Sequence, residues 1–582
     1  MKRSIATVCL SGTLDEKLDA AASAGFDGVE LFEADLINSP LRPDEVRALA
    51  DARGLTIDLY QPFRDFEAMP EPDFRRAEAK FDVMEALGAP TMLVCSNVSP
   101  HAIDDDALAA AQLLELASRA DARGLKIAYE ALAWGRHVSE YDHAWRIVER
   151  ADHPALGTCL DSFHILSRGT SLDTIDAIPG EKIFYLQLAD APFLSMDVLQ
   201  WSRHYRCFPG QGALDVRGLL ARVLAAGYSG PLSLEVFNDV FRQADPCRTA
   251  IDAMRSLILL EDEPLPEPAA LNGFAFVEIG VDSPEIEDLL RAMGFAHVGP
   301  HRSKPVQLFQ HGEIRVVLNH GVGEDDPEVV AIAVDSSDPD ASAARAEALL
   351  APRVERRRGA GEADLTAVAA PDGTAVFFCG PDWLDDFLPT GEAESDGVPI
   401  ERIDHITLAQ PFEAFDEAGL FYRSVLALEP SASAELAAPD GLVRSRAYAA
   451  GDVRVVLNVP ALASTRERSE LQHVAFATSD ALAAARAMRE RGVPLLAVPD
   501  NYYDDLEARL GIDTAPLREL GVLYDRTPEG ELLHFYTARL GGRVFFEVLE
   551  RRGGYRGYGA LNSPVRMAAQ TGGERHAEGA GA

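Results

Sequence analysis

None of the six cysteines in this 582-residue chain stands in a close CxxC pair; Cys9, Cys95, Cys159, Cys207, Cys247 and Cys379 are scattered, most of them in or beside apolar runs. That spacing offers no disulfide framework and is what a reduced, cytoplasmic protein with buried thiols shows. Long apolar runs are missing too. No stretch approaches the roughly 20 residues of a membrane span, and the opening MKRSIATVCLSGTLDEK has too short an apolar run for a signal peptide. Basic residues are few: 54 Lys and Arg against 93 Asp and Glu leave a formal charge of −39. Nucleic acid and anionic membrane both require basic surface, so neither is expected as a partner.

What is present suits ordinary globular cores, since 47% of the residues are hydrophobic. A chain of this length exceeds one core, and two to four domains are expected. Residues 4 to 260 alternate regularly. SIATVCL, GVELF, TIDLY, TMLVCSN, KIAYE, GTCLDSFH, KIFYLQLAD and GPLSLEVF read as strands, with helix-like segments such as FRRAEAKFDVMEALG and VRGLLARVLAAG between them. Eight such strand-like runs, each followed by a helix or loop, predict an α/β fold, a (β/α)8 TIM barrel over residues 1–262. The acidic, Pro-rich stretch ending at 272 reads as a linker from 263. Beyond it strands become more frequent, and a weak repeat emerges. FVEIGV, LLRAMGF and EIRVVLN (313–319) form one copy; RIDHITLA, FYRSVLAL and DVRVVLN (452–458) form the other. The shared order predicts an α+β domain of two βαβββ modules, about 273–390 and 400–563, with Glu278 of the first copy at the position of His405. Residues 564–582, small, polar and Gly-rich, are expected to be disordered.

Four of the barrel runs end on oxygen-bearing side chains: Glu130, Asp161, Gln187 and Glu235. Parallel strands gather their carboxyl ends on one face, so these side chains can converge on one ion. Singly each is a salt bridge or a helix cap. As a set, three carboxylates and an amide suit a hard divalent cation such as Mg2+, Mn2+ or Co2+. His164 lies three residues after Asp161, an offset that serves one site only if the chain turns there. Arg206 sits in the loop after the Gln187 strand, with Arg203 and His204 as close competitors, and Arg64 follows the third strand. A guanidinium at a barrel mouth suits a substrate carboxylate. In the second half His405, His473 and Glu547 all fall on strand-like runs. Two imidazoles and one carboxylate are the set that holds non-haem Fe(II) with positions left open; Fe2+ or Mg2+ is expected there.

The order Glu130, Asp161-x-x-His164, Gln187, Glu235 resembles the sugar phosphate isomerase/epimerase barrels, which use the ion to polarise a carbonyl and stabilise an enolate. Many of those carry histidine where this chain has Gln187. The glutamine, with YEALAWGRHV, LDSFHILSRGTSLD, FYLQLADAP and RHYRCFPGQG, resembles the bacterial 3-dehydroshikimate dehydratases over residues 1–260. QHVAFAT, NYYDDL, GVLYDRTPEGELLHFYTARL and FFEVLERR resemble 4-hydroxyphenylpyruvate dioxygenase, of the vicinal oxygen chelate superfamily, over about 273–563. The chain departs from the dioxygenase at His534, where glutamine is usual, and in NSPVRMAAQ, which stands where the dioxygenase has a helix closing over its substrate. A barrel followed by such a domain resembles a bacterial two-domain form of the dehydratase. The resemblance implies metal-dependent dehydration of 3-dehydroshikimate to protocatechuate, in quinate and shikimate catabolism. Glu130, Asp161, Gln187 and Glu235 would hold the ion, His164 would act as a base titrating near neutrality, and Arg206, with Arg64, would bind the substrate carboxylate. Two rival readings share these residues: a sugar or polyol isomerase on the barrel, and a 2-oxo-acid dioxygenase in the C-terminal domain. Duplicated modules are also compatible with a homo-oligomer.

Overall fold

The structure, a computed structural model, describes residues 1–580 apart from 262–264, 282–283, 323–325, 394–396, 440, 461–470 and 542, with side chains to residue 571. The chain forms two compact units, Met1–Glu263 and Pro264–Ala582. The start of the expected linker, 263–264, lies outside the described residues, and its last two residues are already strand. Among the described residues no helix is long and apolar enough to cross a membrane. Five of the cysteines are buried and Cys247 is exposed.

The first unit is a closed parallel barrel of eight strands: β1 (Arg3–Ala6), β2 (Gly28–Phe32), β3 (Thr56–Phe63), β4 (Thr91–Cys95), β5 (Lys126–Glu130), β6 (Leu156–Asp161), β7 (Ile183–Leu188) and β8 (Leu232–Leu234). Its strands are buried on both faces, which is why they read as nearly continuous apolar runs. Local signals set the helix ends. Helix Leu14–Ser23 starts at Thr13, whose hydroxyl accepts the Glu16 N–H while the Glu16 carboxylate accepts the Thr13 N–H at 2.8 Å, a capping box that contributes about 1 kcal/mol. Helix Phe74–Leu87 stops at Gly88, whose φ of 73° is left-handed. Two strands are shorter than their apolar runs. SIATVCL leaves the sheet at Thr7 for a 3-10 turn, and GPLSLEVF leaves it at Glu235.

The second unit carries two sheets. The first runs β10-β11-β12-β9-β13-β15-β14, from β9 (Leu271–Gly280), β10 (Ala296–Pro300), β11 (Val306–His311), β12 (Ile314–Asn319), β13 (Glu328–Ser336), β14 (Thr366–Ala369) and β15 (Ala375–Cys379). The second runs β17-β18-β19-β16-β20-β23-β22-β21, from β16 (Arg402–Ala409), β17 (Glu429–Ala438), β18 (Gly441–Ala450), β19 (Val453–Pro460), β20 (Gln472–Ala477), β21 (Leu523–Thr527), β22 (Gly530–Tyr536) and β23 (Val544–Gly553). The two strand orders match except for the added edge strand β21.

Strand register corrects the expected alignment of the repeats. Val316 pairs with Val277, and its counterpart Val455 pairs with Ile406. Phe276 therefore stands where the second module has His405, and Glu278 stands where it has Thr407. A two-residue-period strand lets motif matching slip by two without disturbing the apolar pattern, and only the ladder shows the true register. The tail also departs from expectation. Ser563–Ala580 is helical, and Arg566, Met567 and Gln570 are buried against the second module. NSPVRMAAQ is thus the start of a helix, held by one buried face that its small, polar composition obscured.

Candidate functional site

At the carboxyl ends of the barrel strands, Asp161 ends β6 and also caps the one-turn helix Ser162–Leu166, its Oδ1 accepting the His164 N–H at 3.1 Å. This turn folds the imidazole back over the strand end. His164 Nε2 then lies 3.8 Å from Glu130 Oε1 and 3.7 Å from Asp161 Oδ2. Arg206, 1% exposed, enters from the loop behind helix Val198–His204. Its Nη1 donates to Asp161 Oδ2 at 2.8 Å and to Glu235 Oε2 at 3.1 Å, and Nη2 lies 3.2 Å from His164 Nε2. The guanidinium rests 4.6 Å over Phe163. Arg64 is half-buried, and its charge is felt at His164 and Glu235. Arg203 is half-buried over Phe237, while His204 is drawn away by an ion pair with Asp239 at 2.9 Å.

Gln187 is differently placed. It lies beside Asp161 in the register, but its Nε2 donates to Glu30 Oε2 at 2.7 Å and its Oε1 faces the Cys159 thiol. Glu30, on β2, is the residue that sequence reasoning missed. It is fully buried and also accepts from Gln61 and Ser233, and Gln61 Nε2 donates to Glu235 Oε1 as well, at 2.8 Å. An acid in the middle of GVELF, at an inward-facing position, was the available signal. Burial, then the Glu235 charge, raise the Glu30 carboxyl well above its usual range. Glu130 is likewise raised, by burial and then by Asp161 and Glu235. Asp161 is held low, because Arg206 and His164 outweigh its burial. His164 is a correction: expected to titrate near neutrality, it is pushed down to about 3 by burial, against the pull of Asp161.

Glu130 Oε1 is buried and has no hydrogen-bond partner among the described residues. Groups of that kind are rare and costly without a counter-charge. Ligand atoms of Glu130, Asp161 and His164 lie within 4.8 Å of one another. A hard divalent cation fits this oxygen-rich donor set and would satisfy the orphaned oxygen.

In the second module His405, His473 and Glu547 come together, all buried. His473 Nε2 is 3.2 Å from His405 Nε2 and 3.1 Å from Glu547 Oε2. A β-bulge at Asp404 turns two consecutive side chains inward where alternation would part them. Asp404, clamped by Arg551 at 2.8 and 3.0 Å, accepts from His405 Nδ1 at 2.9 Å. That bond fixes the tautomer and directs the Nε2 lone pair into the site. His534 occupies a further place, with Nδ1 2.6 Å from Glu547 Oε1 and Nε2 2.9 Å from Asn562 Nδ2. Hydrogen bonds from the three imidazoles hold Glu547 well below the usual range despite its burial. Burial lowers His473 to about 4, whereas Asp404 and Glu547 raise His405. Arg566 of the C-terminal helix lies 5.2 Å over Phe545, which stacks on His473.

Comparison with known proteins gives three family matches along the chain. Residues 18–257 match the xylose isomerase-like TIM barrel, 265–380 the N-terminal part of hydroxyphenylpyruvate dioxygenase, and 402–513 the glyoxalase/bleomycin resistance protein/dioxygenase superfamily. A 3-dehydroshikimate dehydratase of Pseudomonas aeruginosa is 45% identical, with 98% of each chain covered, and one of Pseudomonas putida is 44% identical over the same shares. A solved xylose isomerase-like TIM barrel/4-hydroxyphenylpyruvate dioxygenase fusion protein is 43% identical with a TM-score of 0.91, covering 98% of this chain and 99% of its own. A 4-hydroxyphenylpyruvate dioxygenase of Pseudomonas aeruginosa is 29% identical, over 51% of this chain and 92% of its own. With a xylose isomerase-like barrel and a paired-module domain in one chain, and relatives matched end to end, this chain belongs to the family of two-domain 3-dehydroshikimate dehydratases.

Proposed function

We propose that the barrel converts 3-dehydroshikimate to protocatechuate and water, with a divalent cation, Mg2+, Mn2+ or Co2+, held by Glu130, Asp161 and Glu235. The observation that carries the cation is the orphaned Glu130 Oε1 beside two further buried carboxylates. Gln187 joins the set if its Oε1 turns from Cys159 while its Nε2 keeps Glu30. When bound, the ion supplies polarisation of the ketone oxygen and stabilisation of the enolate.

The chain's own residues do the rest. Burial pushes His164 down to about 3, which leaves the imidazole free of a proton but a weak base, and the Asp161 carboxylate beside it supports the imidazolium when a proton arrives. Its two nitrogens both meet donors, Ala133 N–H at Nδ1 and Arg206 at Nε2, each at 3.2 Å. The charged guanidinium is the stronger donor, so the Nε2 lone pair faces Arg206, and His164 would take a proton where substrate displaces that contact. His164 takes the proton beside the ketone and returns it to the hydroxyl that leaves from the next carbon, which gives water and an enone. Tautomerisation of the enone yields the catechol ring, and aromaticity drives the step forward. Arg206 is committed to Asp161 and Glu235, so it tunes the charge of the cluster and meets the substrate as a neighbour of His164. Arg64, whose side chain has no ion-pair partner among the described residues, would clamp the carboxylate. The metal-stripped protein is expected to form product, followed by protocatechuate absorbance, only after Mg2+, Mn2+ or Co2+ is restored. No product with any metal would sink the dehydratase reading; equal product in stripped protein would sink the metal.

In the second module His405, His473 and Glu547 would hold Fe2+ or Mg2+. The Asp404-oriented imidazole and the deprotonated Glu547 support this reading.

A further inference from the structure

The first module of the C-terminal unit keeps the scaffold of the second and none of its ligating side chains. Register places Phe276, Ala331 and Phe377 where His405, His473 and Glu547 stand. Where the second module builds a polar centre, the first opens into a cavity of about 620 Å3, the size of a small-molecule site. Its walls are aromatic: Phe276 lies 4.7 Å from the Trp383 ring and 5.6 Å from that of Phe377. Such a slot accepts a flat ring by edge and face contact.

The mouth is basic on a chain whose formal charge is −39. Arg356 and Arg357 line it, and both continue into an adjoining depression of about 430 Å3 that Arg353 and Arg358 also line. Arg358 is paired with Asp364 and Lys304 with Glu362. Arg356, 4.6 Å over Phe377, and Arg357 have no carboxylate partner among the described residues. Deeper in the cavity are polar groups with capacity to spare. Glu278 accepts from Asn319 Nδ2 through Oε1 at 2.5 Å, and its other oxygen has no partner among the described residues. His301 Nδ1 accepts the Ser303 N–H, which leaves the ring proton on Nε2, 4.0 Å from Asp386 and beyond hydrogen-bond reach.

We propose that this first-module cavity binds a small planar hydroxy-aromatic carboxylate. The ring lies against the wall formed by Phe276, Phe377 and Trp383, the carboxylate meets Arg356 and Arg357, and the hydroxyl reaches Glu278 and His301. The site is independent of the barrel and of the second-module cluster, since it uses no residue of either. The catechol carboxylate formed by the proposed barrel reaction is one member of the ligand class.

The test is titration of the metal-free full chain with 4-hydroxybenzoate, a probe that lacks the chelating catechol, by calorimetry and tryptophan fluorescence. One saturable site per chain is expected. Arg356→Met with Arg357→Met, both at exposed positions, should weaken it at least about tenfold, with protocatechuate formation from the metal-loaded barrel unchanged. Trp383→Phe should abolish the fluorescence change and keep the heat of binding. Benzoate, which lacks the hydroxyl, should bind more weakly. Absence of saturable binding overturns the proposal, as does binding lost in Glu130→Gln or His405→Ala and kept in the arginine variant. Loss of barrel turnover in Glu130→Gln bears only on the dehydratase reading, so the two can fail separately.

Discussion

At the barrel mouth several buried carboxylates share one guanidinium, whereas in the second module one carboxylate shares three imidazoles. The two clusters draw on similar residue types and differ in balance. Glu30, Glu130 and Glu235 are all raised, burial first, because Arg206 cannot offset them together. Glu547 is lowered, because every oxygen faces an imidazole. An acid-rich cluster would be completed by a hard cation, as proposed above; an imidazole-rich one is nearly balanced already, and its nitrogen donors would suit a borderline transition metal. The first module shows the third outcome: with Phe276, Ala331 and Phe377 in the places of His405, His473 and Glu547, the same scaffold gives an apolar cluster and a cavity.

The strongest way to break the comparison is Glu130→Gln. It removes the orphaned oxygen's charge and should lower dehydratase turnover by about 1,000-fold, read by protocatechuate absorbance; turnover near wild type would show that the acid excess is not functional. Next is Glu67, a buried barrel carboxyl outside the cluster, which accepts from Asn97 N–H and Tyr129 and is pushed up to about 7 by burial. Its folded value exceeds the unfolded one, so its stabilising contribution is full below about pH 4.5 and is lost as pH rises through 7. Relative to Glu67→Gln, the wild type should lose about 3 kcal/mol between those limits. Denaturant unfolding at pH 5 and pH 8 measures this, and a pH-independent difference would rule it out.

A smaller effect sharpens the imidazole side. Asp404→Ala leaves the His405 ring unanchored and should weaken metal binding in the second module by about 10- to 100-fold, seen by metal analysis after dialysis. Unchanged content would mean that the bulge, and not the carboxylate, orients the ring. The smallest expected effect is that of His405→Ala on the barrel: one metal equivalent is lost while turnover stays within about twofold. A large fall in turnover would show that the two clusters are coupled.

Much of this architecture is legible in the order of residues alone. The strand–helix alternation marks the barrel because buried parallel strands must be apolar, and the acids that end them stand out against that background. Asp161, Glu130, Glu235, His405, His473 and Glu547 share this legibility: each is a polar residue in an apolar run. Glu30 shares it too and is less conspicuous because it lies inside its run and not at the end.

The barrel and the repeated module follow from residue order, through periodicity and a shared RVVLN, which depend on near neighbours alone. The surroundings of the site residues follow from the folded chain. Arg206 became a partner of Asp161 and Glu235, because a loop returns it to them from 45 and 29 residues away. His164 lost its neutral-range titration to burial, which no local pattern records. Glu278 proved to match Thr407, because register is a property of the hydrogen-bonded ladder. The tail became a helix because the second module offers one face for Arg566 and Met567 to cover.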